Sequence, residues 1–372
     1  ISGALARLGA DLVAGGLTLG TGALVGAVLG AVGAAALAKG YSVYSRKRIS
    51  EIDTMRKQAI PHQAIRKGLR LLVAVIFLQF WLVGLAVARN CTPAEKSAAD
   101  AQLWLNKRDK SAALALHLPW GVPQSTSSRI LVQRDYVIGY SDSLLVPLWT
   151  AHRLYSSDLG KVTRVDCFRR DPRIPAPAAS LPSDYDDPIY DQGHMTPNAD
   201  MSKGLKPVIN SFIMSNMSPQ FCQFNRGVWQ ILESLVRIWA KEQGTLYVMT
   251  GSIFDRDGDG MRDDDSLAPR MMSRNGKARV AIPSHFYKIL VHRFNDGRVD
   301  VLALIMPNDK TNLDGDDAIR YIENHLVSVA DIEKLAGVTL FPVLVTPMPD
   351  RVSALWPYSK SAARSLAHHC AP

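Results

Sequence analysis

Two long stretches near the start of the chain carry no charged side chain. Residues 12–38 are mostly Gly, Ala and Leu, whereas residues 71–88 are dominated by Leu, Val, Ile and Phe. A helix needs about 20 apolar residues to cross the hydrocarbon core of a bilayer. The pattern therefore predicts two transmembrane helices. The alternatives are a soluble Ala/Gly-rich helix for the first stretch and a buried core helix for the second.

The segment between these two stretches is basic. Residues 39–70 contain nine Lys or Arg residues and two acidic residues. Loops rich in Lys and Arg stay on the cytoplasmic side of a membrane. We therefore expect residues 1–90 to form a helical membrane hairpin with both ends outside. This topology would anchor the chain in a membrane and place everything after Arg89 in the periplasm or outside the cell.

The rest of the chain mixes strand-like and helix-like patterns without regular βαβ alternation. Residues 91–128 are predicted to be a linker with one helix over 94–116, and residues 129–372 to be one domain. The apolar spacing of residues 224–240 predicts a long helix, and a short late helix begins over 331–335. Runs of β-branched and aromatic residues predict strands at 136–140, 145–149, 208–214, 246–250, 279–282, 287–291 and 299–305. These elements predict an α+β fold.

Composition and charge narrow the choice of protein class. The apolar content of 47% excludes a disordered or fibrous chain, and four cysteines in 372 residues exclude a disulfide-dense scaffold. Four cysteines allow three pairings, of which Cys167 with Cys370 is our guess. The net charge is +9, but residues 1–90 carry +8 of it and residues 91–372 only +1. A nucleic-acid site in the second part would therefore need a local basic patch, for which the candidates are Arg164, Arg169, Arg170, Arg173 and Arg226.

A histidine in a glycine-containing segment is the first candidate for chemistry. The segment reads Tyr-Asp-Gln-Gly-His-Met-Thr-Pro over residues 190–197, with the histidine at position 194. An imidazole has an ordinary pKa that lets it act as a base near neutral pH. The alternative is a structural histidine that only makes hydrogen bonds.

The predicted helix over 224–240 contributes the next candidates. Asn225, Trp229, Glu233 and Arg237 are four residues apart, a spacing that places side chains on one helix face. Glu233 and Arg237 can therefore pair, and the alternative to a functional role is an ordinary surface ion pair. Asn225 could cap the helix start, or its amide oxygen could bind a hard cation such as Mg²⁺.

These residues together resemble the DNA/RNA non-specific endonuclease family of ββα-metal nucleases, which includes endonuclease G. The family has an Asp-Arg-Gly-His motif, then a metal-binding Asn, a Glu eight residues later and an Arg four after that. This chain has Asp191-Gln192-Gly193-His194, followed by Asn225, Glu233 and Arg237 at those intervals. The resemblance covers roughly residues 130–345, and it departs from the motif at Gln192, where the family has Arg. It implies a central, mainly antiparallel sheet flanked by helices.

The resemblance also implies roles for single residues in metal-dependent hydrolysis of DNA and RNA. His194 would be the general base, and Asn225 would hold Mg²⁺, with Mn²⁺ as the alternative ion. Glu233 would orient water, and Arg237 would stabilise charge on the reacting phosphate. Asn216 would brace the site or the His194 loop, while Gln192 and Arg226 would contact substrate, with Gln192 donating hydrogen bonds in place of the missing Arg.

A second metal site is predicted in an acidic loop. Asp255, Asp257, Asp259 and Asp263 alternate around Gly258 and Gly260 as in the first part of a calcium-binding loop. The twelfth position is Ser266 instead of the Glu that an EF-hand requires. The alternative is a solvated acidic turn that binds no Ca²⁺.

The leading hypothesis is thus a membrane-anchored, Mg²⁺-dependent endonuclease for DNA and RNA, facing the periplasm or the cell exterior. One alternative is a nuclease toxin or effector whose N-terminal segment crosses membranes, with an inhibitor or immunity protein as partner. Another is a non-catalytic nucleic-acid-binding protein on a nuclease fold.

Overall fold

A computed structural model of the protein describes residues 89–343 and 354–359. The strands are β1 (Arg89–Asn90), β2 (Arg129–Val132), β3 (Val137–Ser141), β4 (Val146–Leu154), β5 (Val165–Asp166), β6 (Tyr190–His194), β7 (Met217–Phe221), β8 (Leu246–Ile253), β9 (Arg270–Met272), β10 (Ala278–Ala281), β11 (His285–Arg293) and β12 (Val299–Pro307). The helices are α1 (Pro93–Asp100), α2 (Lys107–His117), α3 (Leu205–Asn210), α4 (Cys222–Arg226), α5 (Val228–Gln243), α6 (Gly315–Glu323) and α7 (Val329–Ala336). Short 3₁₀ helices lie at Ala101–Leu103, Ser156–Asp158, Ala176–Ala178, Pro182–Tyr185, Asn198–Met201, Met214–Asn216 and Asp265–Leu267.

A six-stranded sheet forms the centre of the fold. Its strand order is β12-β11-β8-β4-β3-β2, and every neighbouring pair is antiparallel. Side chains alternate between its two faces, as they do in any strand. On β11, Phe286 and Leu290 pack with α5 and α6, whereas Tyr287, Ile289 and Val291 pack with α2 and α7. The prediction of an α+β fold with a mainly antiparallel sheet between helices is confirmed.

Helix α5 covers one face of this sheet. Its apolar positions follow helical spacing and are buried, and the helix ends at Gly244, which has φ 96°. The single helix predicted over 224–240 is wrong at its start, because the chain breaks at Gly227 into α4 and α5. A Cβ at Gly227 would lie 2.4 Å from the Gln223 carbonyl oxygen, so the break requires glycine.

Six of the seven predicted strands are present, but the strand predicted over 208–214 is wrong. That stretch contains the end of α3 and a buried turn. Val208, Ile209 and Phe212 pack in a small cluster with Ala99 and Cys167. These β-branched and aromatic residues pack in a core cluster from a short helix and a turn instead of a strand. Sequence pattern alone does not distinguish short buried helices from strands.

The helix predicted over 94–116 is two helices, α1 and α2. Thr92 and Glu95 form a capping box at the start of α1, and Asn106 caps α2 by accepting the N–H of Asp109. An N-cap residue satisfies N–H groups that have no partner within the helix. The second cap at Asn106 is what starts a new helix within the predicted one.

A disulfide joins the segment before α1 to the rest of the domain. Cys91 is bonded to Cys167, and β1 pairs in parallel with β5 beside the bond. The guessed pairing of Cys167 with Cys370 is therefore wrong. Arg169, which we had placed in a basic patch, instead donates from Nε to Asp100 of α1 at 2.8 Å and is buried.

The predicted membrane hairpin, residues 1–90, lies almost wholly outside the described residues. Within 89–343 and 354–359, no helix is both long and apolar enough to cross a bilayer. Membrane anchoring stays a prediction about the first 88 residues.

Candidate active site

A β-hairpin followed directly by a helix carries most of the predicted site residues. Strands β6 and β7 pair from Tyr190–Phe221 to His194–Met217, and α4 begins at the next residue, Cys222. The side chains from this unit and from α5 line one cavity of about 1110 Å³. The predicted residues on its wall are Gln192, His194, Asn225, Arg226, Glu233 and Arg237.

His194 lies at the end of β6 against aromatic rings. Its ring meets Phe212 edge-on with centroids 4.7 Å apart, and Phe168 lies 6.0 Å away. Burial lowers the pKa of His194 to about 3, and the charge of Arg164 acts in the same direction. The imidazole is therefore neutral at neutral pH. Its Nε2 is buried and has no hydrogen-bond partner within the described chain, while the residue itself lines the cavity.

Asn216 holds the backbone that follows His194 and is itself fully buried. Its Oδ1 accepts the N–H of Thr196 at 2.9 Å, and its Nδ2 donates to the carbonyls of Thr196 and Ser211 at 3.0 and 2.8 Å. These three bonds occupy the amide. Asn216 thus fixes the position of the His194 segment and does not reach the cavity.

Asp191 organises the two neighbouring residues on α4. Asn225 donates from Nδ2 to Asp191 at 2.8 Å, and Arg226 donates from Nε and Nη2 to the same carboxylate at 2.8 and 2.7 Å. Asn225 does not cap the helix, because α4 begins three residues earlier. With Nδ2 bound to Asp191, Oδ1 is the atom of Asn225 that can bind a cation.

Arg237 does not form the ion pair with Glu233 that the helical spacing allows. Its Nη1 contacts Asp200 at 3.2 Å, and its Nη2 donates to Ser234 at 2.8 Å. Asp200 is buried and also contacts Nε2 of His152 at 3.1 Å. A buried carboxylate requires partners of opposite charge or hydrogen-bond donors. This requirement explains why Asp200 binds the guanidinium of Arg237.

Glu233 lies one helical turn before Arg237. Burial raises its pKa, whereas the charges of Lys288 and Arg237 lower it. Sequence reasoning missed both Asp200 and Lys288 as members of this region. The available signal was a lysine in the middle of the apolar strand run 287–291.

The five arginines of the predicted basic patch have separate roles. Arg164 and Arg226 line the cavity. The other three are tied to the fold: Arg169 to Asp100, Arg170 to the carbonyl of Ile174, and Arg173 to Asp171. The basic surface near the cavity is therefore smaller than predicted.

The acidic loop brings three of its four predicted aspartates together. Asp255, Asp257 and Asp263 have carboxylate oxygens within 4.8 Å of one another. Asp259 lies outside this group, and its Oδ1 accepts the N–H of Met261 at 2.8 Å. None of these residues lines the cavity, and calcium binding at the loop stays a prediction.

The family is shown by comparison with known proteins. Residues 117–346 match the sequence profile described as DNA/RNA non-specific endonuclease. Nuclease C1 of Cunninghamella echinulata var. echinulata is 32% identical over 234 residues, which cover 61% of this chain and 88% of that protein. The chain belongs to the DNA/RNA non-specific endonuclease family, as its motifs predicted.

Two further relatives show how far the similarity extends. Venom phosphodiesterase CdcPDE of Crotalus durissus collilineatus is 29% identical over 280 residues, but the chain spans only 33% of that protein's length. A crystal structure of the EndoG/EndoGI complex, which describes the mechanism of EndoG inhibition, superposes with a TM-score of 0.54 at 27% identity. It covers 62% of this chain and 92% of the other. The nuclease domain is thus the shared part.

Proposed function

We propose that this protein is a metal-dependent endonuclease that hydrolyses phosphodiester bonds in both DNA and RNA. The observation that carries the proposal is that His194 and Asn225 line one cavity together with Glu233 and Arg237. A base, an oxygen ligand, a carboxylate and a guanidinium are the groups that such a hydrolysis needs. The nuclease and phosphodiesterase names of the relatives support the reaction class.

The donor set fits Mg²⁺. This ion takes oxygen ligands, keeps several waters and binds phosphate readily, so a single protein ligand suffices in a cavity of about 1110 Å³. Asn225 would hold it through Oδ1, which the Asp191 contact leaves available. Mn²⁺ would accept the same donor. The bound ion supplies Lewis acidity toward a phosphate oxygen and the leaving oxygen.

His194 takes the proton from the attacking water in this proposal. A neutral imidazole has one ring nitrogen with a lone pair that can accept a proton, and burial keeps the ring neutral. The aromatic edge contact with Phe212 and the brace from Asn216 fix the ring and its backbone. A fixed base within reach of water is the arrangement that general-base catalysis requires.

The cationic groups bind the phosphate. Arg237 is held by Asp200 and Ser234 at the cavity wall, so its guanidinium is oriented before substrate arrives. Arg226, held by Asp191, offers a second guanidinium, and Gln192 offers an amide donor in place of the family's Arg. Contacts to phosphate carry no sequence information, which accounts for the use of both DNA and RNA.

Cleavage of plasmid DNA and of RNA tests the proposal. We expect the parent protein to cut both with Mg²⁺, to stop with EDTA and to recover when Mg²⁺ is restored. His194→Ala should lower the rate by about 10²–10⁴-fold, the usual contribution of a general base, and the variant should still fold, as measured by circular dichroism. His292→Ala, at the far end of β11 beside Phe294, is the matched control and should cut normally. A His194→Ala variant that cuts as fast as the parent would remove His194 as the base, and a parent that binds nucleic acid without cutting it would favour the non-catalytic alternative.

We further propose that the nuclease domain works outside the cytoplasm and has a protein inhibitor. The Cys91–Cys167 disulfide supports an oxidising compartment, since cytosolic thiols are kept reduced. The EndoG/EndoGI complex supports the idea of an inhibitor partner. Protease treatment of spheroplasts should degrade the domain, and its protection there would contradict this location.

A further inference from the structure

A lysine is buried at the centre of the sheet, beneath the helix that carries Glu233 and Arg237. Lys288 lies in the middle of β11 and is 0% exposed. Its strand neighbours on the same face, Phe286 and Leu290, pack against α5, so Lys288 also points toward that helix. Taking an ammonium out of water is unfavourable unless nearby groups compensate its charge. A lysine in this place therefore needs compensating groups.

The direct contacts of the Lys288 ammonium are neutral. Nζ donates to Oγ1 of Thr250 at 2.7 Å and lies 4.6 Å from the ring centroid of Trp229. Within the described part of the chain, no carboxylate comes within 4.0 Å of Nζ. A hydroxyl and an aromatic face solvate the charge but do not neutralise it. The neutralising charge must come from slightly farther away.

The position of Trp229 indicates which carboxylate neutralises the Lys288 ammonium. Trp229 and Glu233 are four residues apart on α5, so their side chains lie on the same face of the helix. The ammonium over the Trp229 ring thus lies next to the turn that carries Glu233. Two carboxylates, Glu233 and Asp200, exert a charge effect on Lys288. Asp200 already contacts Arg237 and His152, whereas Glu233 has no ion pair within 4.0 Å in the described residues and is the anion that balances Lys288.

We propose that Lys288 is a positioning residue of the hydrolytic site, whose buried charge keeps Glu233 ionised at the wall of the cavity. The inference rests on the proposed nuclease function and extends it to a residue that does not touch the cavity. An ionised Glu233 accepts hydrogen bonds from water through both oxygens, whereas a protonated one also donates and holds water differently. Lys288 therefore acts on the reaction through Glu233.

The electrostatics of the cluster agree with this geometry. Burial raises the pKa of Glu233, and Lys288 is the strongest of the charges that oppose the rise, ahead of Arg237 on the same helix. Asp200, from the 3₁₀ helix at 198–201, raises it further. Burial in turn lowers the pKa of Lys288, which the charges of Glu233 and Asp200 oppose. Removing the ammonium leaves Arg237 as the cation that acts on Glu233.

The first experiment measures how kcat/KM for plasmid cleavage depends on pH in Lys288→Met. Methionine keeps a similar length and removes the charge. We expect the acidic limb of the profile to move to higher pH by at least about one unit, which means at least about a tenfold loss below the limb and recovery above it. Lys277→Met removes an exposed lysine from a turn and should leave the profile unchanged. A Lys288→Met profile that coincides with the parent's would overturn the inference.

A second variant separates the charge effect from damage to the fold. Lys288→Met should lower the melting temperature because it removes the stronger of the two cations that act on Glu233, and adding Glu233→Gln should recover most of the loss. The recovery is readable even if the single variant is too unstable to assay. A double variant as unstable as Lys288→Met would show that the lysine only fills space, which contradicts the inference.

The two proposals fail in different ways. A parent protein that cuts neither DNA nor RNA with Mg²⁺ overturns the proposed function and, with it, the positioning role. A parent that cuts, together with an unshifted Lys288→Met profile, overturns the positioning role alone.

Discussion

Acid should destabilise this protein through a histidine that does not line the candidate active-site cavity. His117 ends α2 and is 4% exposed. Its Nδ1 accepts the backbone N–H of Arg153 at 3.0 Å, so Nε2 carries the hydrogen and donates to the Arg134 carbonyl at 2.9 Å. Protonation would put a second hydrogen on Nδ1, directly facing the N–H of Arg153. The fold therefore accommodates only the neutral ring.

The size of the effect follows from the pKa. Burial, as the largest cause, lowers the pKa of His117 from 6.5 to about 4. The unfolded chain then binds a proton at His117 more readily than the folded chain, so this contribution to stability is complete above pH 6.5 and is lost as the pH falls toward 4. At pH 4.5 the loss amounts to about 2.5 kcal/mol of unfolding free energy.

Urea unfolding at pH 8 and at pH 4.5 measures this loss, with His117→Gln as the comparison. Glutamine offers a donor and an acceptor but does not titrate. The parent should lose about 2.5 kcal/mol more than the variant between the two pH values, because other groups, including His194, titrate in both proteins and cancel. Equal losses in the two proteins would refute the assignment of a neutral, acid-sensitive His117.

Three further predictions concern the site and its support. Gly193→Ala should reduce plasmid cleavage and cost about 1–3 kcal/mol in urea unfolding, because the new Cβ would lie 2.1 Å from Oε1 of the fully buried Gln220; parent-like values in both assays would contradict it. Arg237→Lys should lower kcat for plasmid DNA, because a lysine has no planar guanidinium that can contact Asp200 and a phosphate at the same time. The melting temperature should change little, because the positive charge next to Asp200 is kept. An unchanged kcat would show that the guanidinium geometry is not used. Cys91→Ser should lower the unfolding free energy by about 2–4 kcal/mol, and dithiothreitol should lower that of the parent by at least as much, because Cys222 is also disulfide-bonded; a parent stability that is insensitive to reductant would contradict the role of the bond.

The strands of the central sheet could be predicted because their sequences are rich in β-branched and aromatic residues. Tyr287, Ile289 and Val291 supply one face of β11 and pack with α2 and α7, while the alternate residues pack with α5. The same reasoning failed over 208–214, where a short helix buries residues of strand-like type. It also failed at Gly227, since the apolar spacing of 224–240 continues across a break that depends on one glycine. Local pattern predicts long elements well and short or interrupted ones poorly.

The site was predictable where the chain itself brings the residues together. His194 and Asn225 are linked by one hairpin and the helix after it, and the family motif already contains that connection. The partners of Arg237 and Glu233 were not predictable, because Asp200 is 37 residues from Arg237 and Lys288 comes from the sheet beneath. Which charge a buried carboxylate meets depends on tertiary packing. Helical spacing suggested that Glu233 could pair with Arg237. It could not predict that Asp200, from another part of the chain, contacts the guanidinium instead.

Gln192 replaces the arginine of the family motif, but a neighbouring arginine, Arg226, also lines the cavity. The family motif has Arg there, and a comparison of motifs alone counts one guanidinium fewer in this chain. The cavity wall nevertheless carries the guanidinium of Arg226, which Asp191 holds through two hydrogen bonds of 2.8 and 2.7 Å. The same carboxylate orients Asn225 at 2.8 Å. One aspartate of the motif thus ties a guanidinium of the cavity wall and the proposed metal ligand to the strand that carries His194, so a guanidinium from α4 stands near the position where the family motif has its Arg.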